Sequence, residues 1–239
     1  MVSTAASHDT AGRGRRLPAA VLWDMDGTLL DSERLWDVAM RELSEHLGGP
    51  MSEETREATL GASSANALAV LFDSLGPEQK PAAVADAKVW LFARVGELFG
   101  GGLDWRPGAR DALATVRGLG LRTALVTNTE RVLTEPALDT IGRDFFDASV
   151  CGDEVPSGKP DPDPYLRGAE LLGVDPRDCL AVEDSPTGTA AAAAAGCRVL
   201  VVPSEAAVPA GPGRVFRDGL VGLSEADIAA VWRDGAPAA

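Results

Sequence analysis

The chain has 239 residues, of which 45% are hydrophobic and 24% are charged, a balance typical of a globular protein in water. Its formal net charge of −14 argues against nucleic acid as a partner, because binding to a phosphate backbone depends on clustered lysine and arginine. No apolar run is long enough to cross a bilayer, so we also expect no membrane partner.

Residues 1–17 are predicted to form a flexible N-terminal tail. Arg15 and Arg16 precede an apolar stretch that ends at Asp24. This stretch is too short for the hydrophobic region of a secretion signal, so we expect no such signal.

That same apolar run, "AAVLWD" at residues 19–24, is predicted to be a buried strand. It ends on Asp24, and Asp26 follows two places later. Burying an ionised carboxylate is costly unless a positive group pairs with it. The two aspartates are therefore expected either at an exposed strand end or around a cation.

Residues 34–103 have the apolar spacing of helices rather than of strands. Trp36, Met40, Leu43 and Leu47 fall on one helix face, and this stripe is predicted to be the core of a helical bundle. An insertion placed directly after the carboxyl end of a strand would cover the ligand-binding edge of the sheet. We therefore predict an all-helical cap domain at residues 34–103, with a hinge at the run of three glycines near its end.

Residues 18–33 and 104–239 are predicted to form one α/β catalytic core. Short apolar runs alternate there with helical patterns, and the runs are "TALVTN" at 123–128, "DASVCG" at 147–152, "CLAVED" at 179–184 and "RVLVV" at 198–202. Such alternation is typical of a doubly wound parallel sheet, a Rossmann-like core with helices on both faces. Asp163 and Ser185 are predicted to cap the helices that follow them.

The available side chains restrict the chemistry. Only two histidines are present, His8 and His46, and neither lies near a motif, so catalysis through histidine is disfavoured. The cysteines are odd in number and widely spaced, and we predict that all three are buried and reduced: Cys151, Cys179 and Cys197. A cytoplasmic location is the expectation that follows.

Three apolar runs end in polar side chains suited to phosphate or metal chemistry. These are Asp24 and Asp26, Thr127 and Asn128, and Glu183 and Asp184. The carboxyl ends of parallel strands meet at one crevice, so the six groups are expected to converge there, with Thr127 and Asn128 facing the substrate. Lys159, in the turn "SGKPDP", supplies one cation to this acidic crevice.

Oxygen ligands of this kind suit Mg²⁺, which commonly takes a substrate phosphate as a further ligand. A carboxylate can attack phosphorus once Mg²⁺ and a lysine reduce the repulsion between the two anions. Asp24 fits the nucleophile and Asp26 the general acid and base. Thr127 fits a group that holds phosphoryl oxygens.

The segments that carry this chemistry resemble the four ordered motifs of the haloacid dehalogenase-like hydrolase superfamily. They are "DMDGTLLDSE", "TN" after an apolar strand, "SGKPDPDPY" and "VEDSPTG". The resemblance covers about residues 19–203 and is to the phosphatase and β-phosphoglucomutase-like branch, which has a helical cap after the first motif. Members of the dehalogenase type usually lack the second aspartate, so the presence of Asp26 favours phosphoryl transfer.

The resemblance implies a role for each motif residue. Asp24 resembles the nucleophile, and Asp26 resembles the acid/base residue whose backbone carbonyl also binds magnesium. Thr127 and Lys159 resemble the partners of the phosphate and of the nucleophile. Asp184 and Glu183 resemble the metal-binding acidic pair of the family, with Glu183 either in direct contact with the metal or one step removed.

Four further residues in these motifs are predicted to have structural rather than catalytic roles. Asp31 and Ser32 are predicted to cap the first inserted helix rather than to take part in catalysis. Gly27 and Gly188 are predicted to mark unusual backbone or close packing.

The sequence thus predicts a Mg²⁺-dependent phosphoric monoester hydrolase that acts on small phosphorylated metabolites through a phospho-aspartyl intermediate. Sugar phosphates and phosphoglycolate-like acids are the expected substrates. One alternative is a sugar-phosphate mutase of the β-phosphoglucomutase type, which the core motifs do not distinguish. Another is a non-catalytic phosphate-binding module, which is disfavoured because every group needed for turnover is present. We expect a monomer or a weak homodimer.

Overall fold

The computed structural model describes residues 17–59, 62–76 and 81–234. The tail predicted at residues 1–17 lies outside these ranges except for Leu17. Six parallel strands form one sheet in the order β3-β2-β1-β4-β5-β6. They are β1 (Ala20–Trp23), β2 (Arg122–Val126), β3 (Ala148–Val150), β4 (Cys179–Glu183), β5 (Arg198–Val201) and β6 (Arg214–Phe216).

Helices cover both faces of this sheet, as the strand and helix alternation predicts. They are α5 (Ala109–Gly118), α6 (Arg131–Ile141), α7 (Asp163–Leu172), α8 (Pro186–Ala194) and α9 (Glu225–Asp234). Alternate residues of β1 enter different apolar clusters, because side chains of a strand point to opposite faces. Val21 and Trp23 pack in one cluster, while Ala20 and Leu22 pack in the other. A strand buried on both faces explains the unbroken apolar run in the sequence.

Within the described residues, four further helices lie between β1 and β2 in the chain, so the predicted all-helical insertion is confirmed. They are α1 (Glu33–His46), α2 (Glu53–Thr59), α3 (Ser64–Leu75) and α4 (Pro81–Gly100). Helix α1 packs against α4, and α3 packs against both α2 and α4. The exact boundaries at residues 34 and 103 remain a prediction.

The two segments that join the insertion to the core run side by side. Leu30 and Trp105 form an antiparallel bridge. The backbone N–H of Asp31 donates to the carbonyl of Asp104 at 2.9 Å. Two adjacent segments of the chain therefore connect the insertion to the core, which is the arrangement expected of a hinge.

Some local predictions need correction, and others are confirmed. Asp163 is the first residue of α7 rather than its cap, because Pro162 occupies the cap position. Ser185 caps α8 as predicted, and its hydroxyl accepts a hydrogen bond from the N–H of Gly188.

The short strand β6 was not predicted. The three cysteines are buried and unpaired as predicted. None of the helices within the described ranges has the length and apolar character needed to cross a membrane.

Candidate active site

Three neighbouring strands bring the predicted site residues to one edge of the sheet. Strand β1 lies between β2 and β4, and Trp23 is level with Leu125 of β2 and with Val182 of β4. The polar residues at or just beyond these strand ends are Asp24, Thr127 and Glu183. The central position of β1 therefore places Asp24 between the other two, in the crevice where ligands bind in sheets of this class.

Lys159 is buried beside two of these carboxylates. Its Nζ donates to Asp24 Oδ1 at 2.6 Å and to Glu183 Oε1 at 2.7 Å. Burial alone would lower the pKa of Lys159, but the two carboxylates outweigh burial and raise it. The hydroxyl of Tyr165 donates to the same Glu183 oxygen at 2.6 Å. Lys159 is therefore a fixed cation at the nucleophile predicted from the sequence.

The acidic cluster has the composition of a site for a divalent cation. Oxygens of Asp24, Glu183 and Asp184 lie within 4.8 Å of one another, and all three residues are buried. Asp24 Oδ2 is buried and has no hydrogen-bond partner. Such an atom is costly unless a ligand satisfies it, and a carboxylate oxygen is a preferred ligand of hard cations. The residues present therefore fit a divalent metal.

Burial also changes the acidity of this cluster. Burial, followed by repulsion from Glu183, raises the pKa of Asp24 well above its usual range. The same two causes raise the pKa of Asp184 to about 8. A divalent cation would reverse both shifts, because it stabilises the ionised carboxylates.

Gly27 allows the backbone to approach the cluster. Its φ of 79° lies in the left-handed region, and a Cβ placed on it would lie 2.1 Å from Asp184 Oδ2. A Cβ on Gly188 would lie 1.9 Å from Glu183 Oε1. The predictions of unusual backbone at Gly27 and of close packing at Gly188 are both confirmed.

Four donors surround the side chain of Asp26. Oδ1 accepts from Ser32 Oγ at 2.6 Å and from Trp36 Nε1 at 3.4 Å. Oδ2 accepts from Thr127 Oγ1 at 3.1 Å and from Thr129 Oγ1 at 2.7 Å. The carboxylate is thus held at a fixed position beside the crevice, with hydroxyls on both of its oxygens.

Ser32 occupies the N-cap position of α1 as predicted, but its side chain does not cap the helix. Ser32 has helical φ and ψ of −90° and −21°, and its side chain makes no capping hydrogen bond. Its buried hydroxyl donates to Asp26 instead. Asp31 pairs with Arg34 and Arg106 rather than capping the helix.

Asn128 holds the loop that carries Lys159. Its side-chain oxygen accepts from the Lys159 N–H at 2.8 Å, and its amide nitrogen donates to the Lys159 carbonyl at 3.2 Å. The side chain therefore links the end of β2 to the lysine loop. Substrate contact by Asn128 stays a prediction.

A cavity joins these groups to the helical insertion. It encloses about 850 Å³, part of it open to solvent. Trp36 and Met40 line it on the insertion side, although the sequence predicted them only as bundle core. Leu43, from the same stripe, is fully buried as predicted.

The family model of the haloacid dehalogenase-like hydrolases matches residues 18–196. The chain belongs to this family. As a haloacid dehalogenase-like hydrolase with phosphatases among its relatives, it has the predicted enzyme class, a phosphoric monoester hydrolase.

Three similar proteins illustrate the range of this hydrolase family. A phosphorylated carbohydrates phosphatase of Thermotoga maritima is 34% identical over 74% of this chain and 81% of its own. A phosphoglycolate phosphatase of Chromobacterium violaceum is 33% identical over 77% and 84%. A mutant of CbbY from Rhodobacter sphaeroides, solved in complex with xylulose-1,5-bisphosphate, is 30% identical over 87% and 96%, with a TM-score of 0.77.

Several side chains at the site of this hydrolase were not predicted from the sequence. Tyr165 contacts Glu183, Thr129 contacts Asp26, and the Ser204 hydroxyl donates to Asp184 Oδ2. Thr129 lies two residues after Thr127, and its spacing from the motif could have identified it. Tyr165 and Ser204 reach the site only through helix and loop packing, which leaves no local signal.

Proposed function

We propose that the protein is a Mg²⁺-dependent phosphatase of small phosphorylated metabolites, either sugar phosphates or phosphoglycolate-like acids. The observation that carries the proposal is the environment of Asp24. One of its oxygens contacts Lys159, and the other is buried without a hydrogen-bond partner beside Asp184. This arrangement suits a nucleophile that shares a site with a cation.

Asp24 and Asp184 would hold the metal through carboxylate oxygens, and Asp26 through its backbone carbonyl. Glu183 would contact it directly or support it from one step away, since both Glu183 oxygens already accept hydrogen bonds. When bound, Mg²⁺ supplies positive charge that reduces the repulsion between the phosphate and the carboxylates.

The remaining steps use side chains of this chain. Asp24 attacks phosphorus and forms a phospho-aspartyl group, while Asp26 donates a proton to the departing oxygen. Asp26 then removes a proton from the water that attacks the same phosphorus, which releases phosphate and regenerates Asp24. Thr127 and Lys159 stabilise the phosphoryl oxygens during both steps. The helical insertion acts as a cap that closes over the crevice and reopens for water and product.

The similar proteins support the substrate class, because two of them are phosphatases of carbohydrate phosphates or of phosphoglycolate by name. A cytoplasmic location is part of the proposal and is supported by the three unpaired, buried cysteines. We also retain the expectation of a monomer or a weak homodimer.

The test is a screen for phosphate release over a panel of phosphorylated metabolites with Mg²⁺. We expect turnover that EDTA abolishes and that Asp24→Asn reduces at least about a thousandfold. Rapid quenching followed by borohydride reduction would convert an acyl phosphate at Asp24 to homoserine, which mass spectrometry detects. Turnover without this product would contradict the covalent route, and lack of any turnover would contradict the function.

A further inference from the structure

The cavity above Asp24 has two chemically different ends. The sheet end carries the phosphoryl-transfer groups, including Asp24, Lys159 and Asp184. The insertion end, where the rest of the substrate would lie, combines an apolar surface with acidic side chains. The apolar surface comes from Trp36, Met40, Ala67 and Leu91, and the acids are Asp37 and Glu130.

Lys159 is the one cationic side chain among the described residues that line this cavity, beside six acidic side chains. Its nitrogen already lies between Asp24 and Glu183 at the sheet end. A second anionic group on the substrate would therefore meet acidic side chains and no further cation among the described residues that line the cavity. Repulsion of this kind contributes to specificity, because it weakens the binding of the ligand that carries the second anionic group.

In the described part of the chain, the cations that pair with Asp37 or Glu130 are already neutralised by carboxylates; they are Arg41, Arg56 and Lys88. Arg56 contacts Asp37 at 2.9 Å and Glu205 at 2.5 Å. Lys88 contacts Glu130 at 2.6 Å. A second phosphate or a carboxylate would have to break one of these ion pairs to obtain a cation.

We propose that the leaving group of the substrate is uncharged, so that the enzyme prefers monophosphates of neutral polyols or sugars to bisphosphates and to phosphorylated acids. This inference rests on the proposed phosphatase function and narrows it. The apolar surface suits the carbon skeleton of a sugar, and the carboxylates suit its hydroxyls as acceptors.

The same argument disfavours the mutase alternative. A phospho-enzyme that returns its phosphoryl group to a second hydroxyl of a sugar phosphate forms a sugar bisphosphate. The non-transferred phosphate of that bisphosphate must be held at the insertion end, where the described cavity lining offers no cation.

The experiment compares substrates that differ in the charge of the leaving group. Values of kcat/KM are measured with Mg²⁺ for sorbitol 6-phosphate, glucose 6-phosphate, 2-phosphoglycolate and glucose 1,6-bisphosphate. We expect the best neutral leaving group to exceed both anionic ones by at least about tenfold. Equal or higher values for 2-phosphoglycolate or the bisphosphate would overturn the inference and leave the phosphatase function intact.

If the wild-type enzyme shows no turnover, binding measurements still test the preference for a neutral leaving group. The dissociation constants of the same four compounds are measured calorimetrically with the Asp24→Asn protein and Mg²⁺. Lack of turnover by the wild-type enzyme would contradict the phosphatase function. Tighter binding of 2-phosphoglycolate or of the bisphosphate than of the neutral sugar phosphates would then still overturn the inference.

Two variants should weaken the preference, one on the insertion and one on the core. Asp37→Asn leaves Arg56 with less compensating charge, and Glu130→Gln releases Lys88. Each is expected to raise kcat/KM for 2-phosphoglycolate relative to sorbitol 6-phosphate by about three- to tenfold. Asp73→Asn makes the same chemical change as Asp37→Asn on an exposed part of α3, and should leave the ratio unchanged. A ratio that moves in neither cavity variant would contradict the inference, whatever the effect on folding.

Discussion

At the scale of single residues, Ser32 shows how a residue type typical of helix caps can serve the active site instead. Its hydroxyl donates to Asp26 at 2.6 Å and makes no capping bond. Ser32→Ala removes this donor from the proposed acid/base residue. We expect kcat to fall about tenfold, because the carboxylate loses its closest orienting contact on that oxygen. Steady-state kinetics and thermal unfolding measure the two effects separately.

Ser63 provides a matched control for this substitution. Its hydroxyl does cap a helix, since it accepts from the N–H of Asn66 at the start of α3. Ser63→Ala should lower the free energy of unfolding by about 1 kcal/mol and leave kcat unchanged. If Ser32→Ala behaved in the same way as Ser63→Ala, the orienting role of Ser32 would be wrong.

Tyr165 supports the site through a buried hydrogen bond to Glu183. The side chain is fully buried, and its hydroxyl donates to the Glu183 oxygen that also accepts from Lys159. Tyr165→Phe leaves this buried carboxylate with one donor fewer. We expect the free energy of unfolding to fall by about 2 kcal/mol, because hydrogen bonds to charged groups are among the stronger ones. Urea denaturation of wild type and variant checks this value, and an unchanged midpoint would contradict it.

At the scale of elements, two ion pairs among the described residues join the helical insertion to parts of the core outside the connecting segments. Arg56 of α2 contacts Glu205 after β5, and Lys88 of α4 contacts Glu130 before α6. Partly exposed pairs of this kind stabilise a fold by no more than about 1 kcal/mol. They nevertheless favour the arrangement in which the insertion covers the crevice, because each pair bridges the two parts of the chain.

Glu205→Gln tests this effect on the insertion. We expect KM to rise about two- to threefold at low salt, with a small change in thermal stability, because one bridge between the insertion and the core is lost. Salt screens this ion pair, so we expect the KM of the wild-type enzyme to rise with ionic strength. The KM of the variant, which lacks the pair, should rise less. Glu53→Gln is the control, since Glu53 pairs with the same Arg56 but lies on α2 itself. Equal effects of both variants would show that the bridge does not matter.

The strands that carry the site were predictable because each is an apolar run that ends in a polar residue of unusual type. β1, β2 and β4 end next to Asp24, Thr127 and Glu183 as the runs indicate. β6 was missed, because its three residues are only partly buried or exposed and follow a segment rich in proline and glycine. The contacts of Tyr165 and Ser204 depend on how α7 and the loop after β5 pack, and spacing in the sequence carries no record of that.

At the scale of the whole molecule, the buried acids link stability to pH and to metal. Burial and then Glu183 raise the pKa of Asp184 to about 8, and they raise that of Asp24 in the same direction. An aspartate in an unfolded chain has a pKa of about 4. Between these values the folded protein binds more protons than the unfolded protein does. The stability that these two acids contribute is therefore lost as the pH rises through this range.

A divalent cation should oppose this loss, because it binds the ionised cluster of the folded protein and competes with protons there. We expect the difference in Tm between samples with saturating Mg²⁺ and samples with EDTA to grow as the pH rises from about 6 to about 8. Differential scanning calorimetry at several pH values measures it. Asp184→Asn removes one of the titrating ligands. The difference in Tm between its Mg²⁺ and EDTA samples should therefore be smaller and should vary less with pH. A wild-type difference that shrinks with rising pH would mean that the cluster does not exchange protons for a cation, and the metal-assisted route through Asp24 would lose its physical basis.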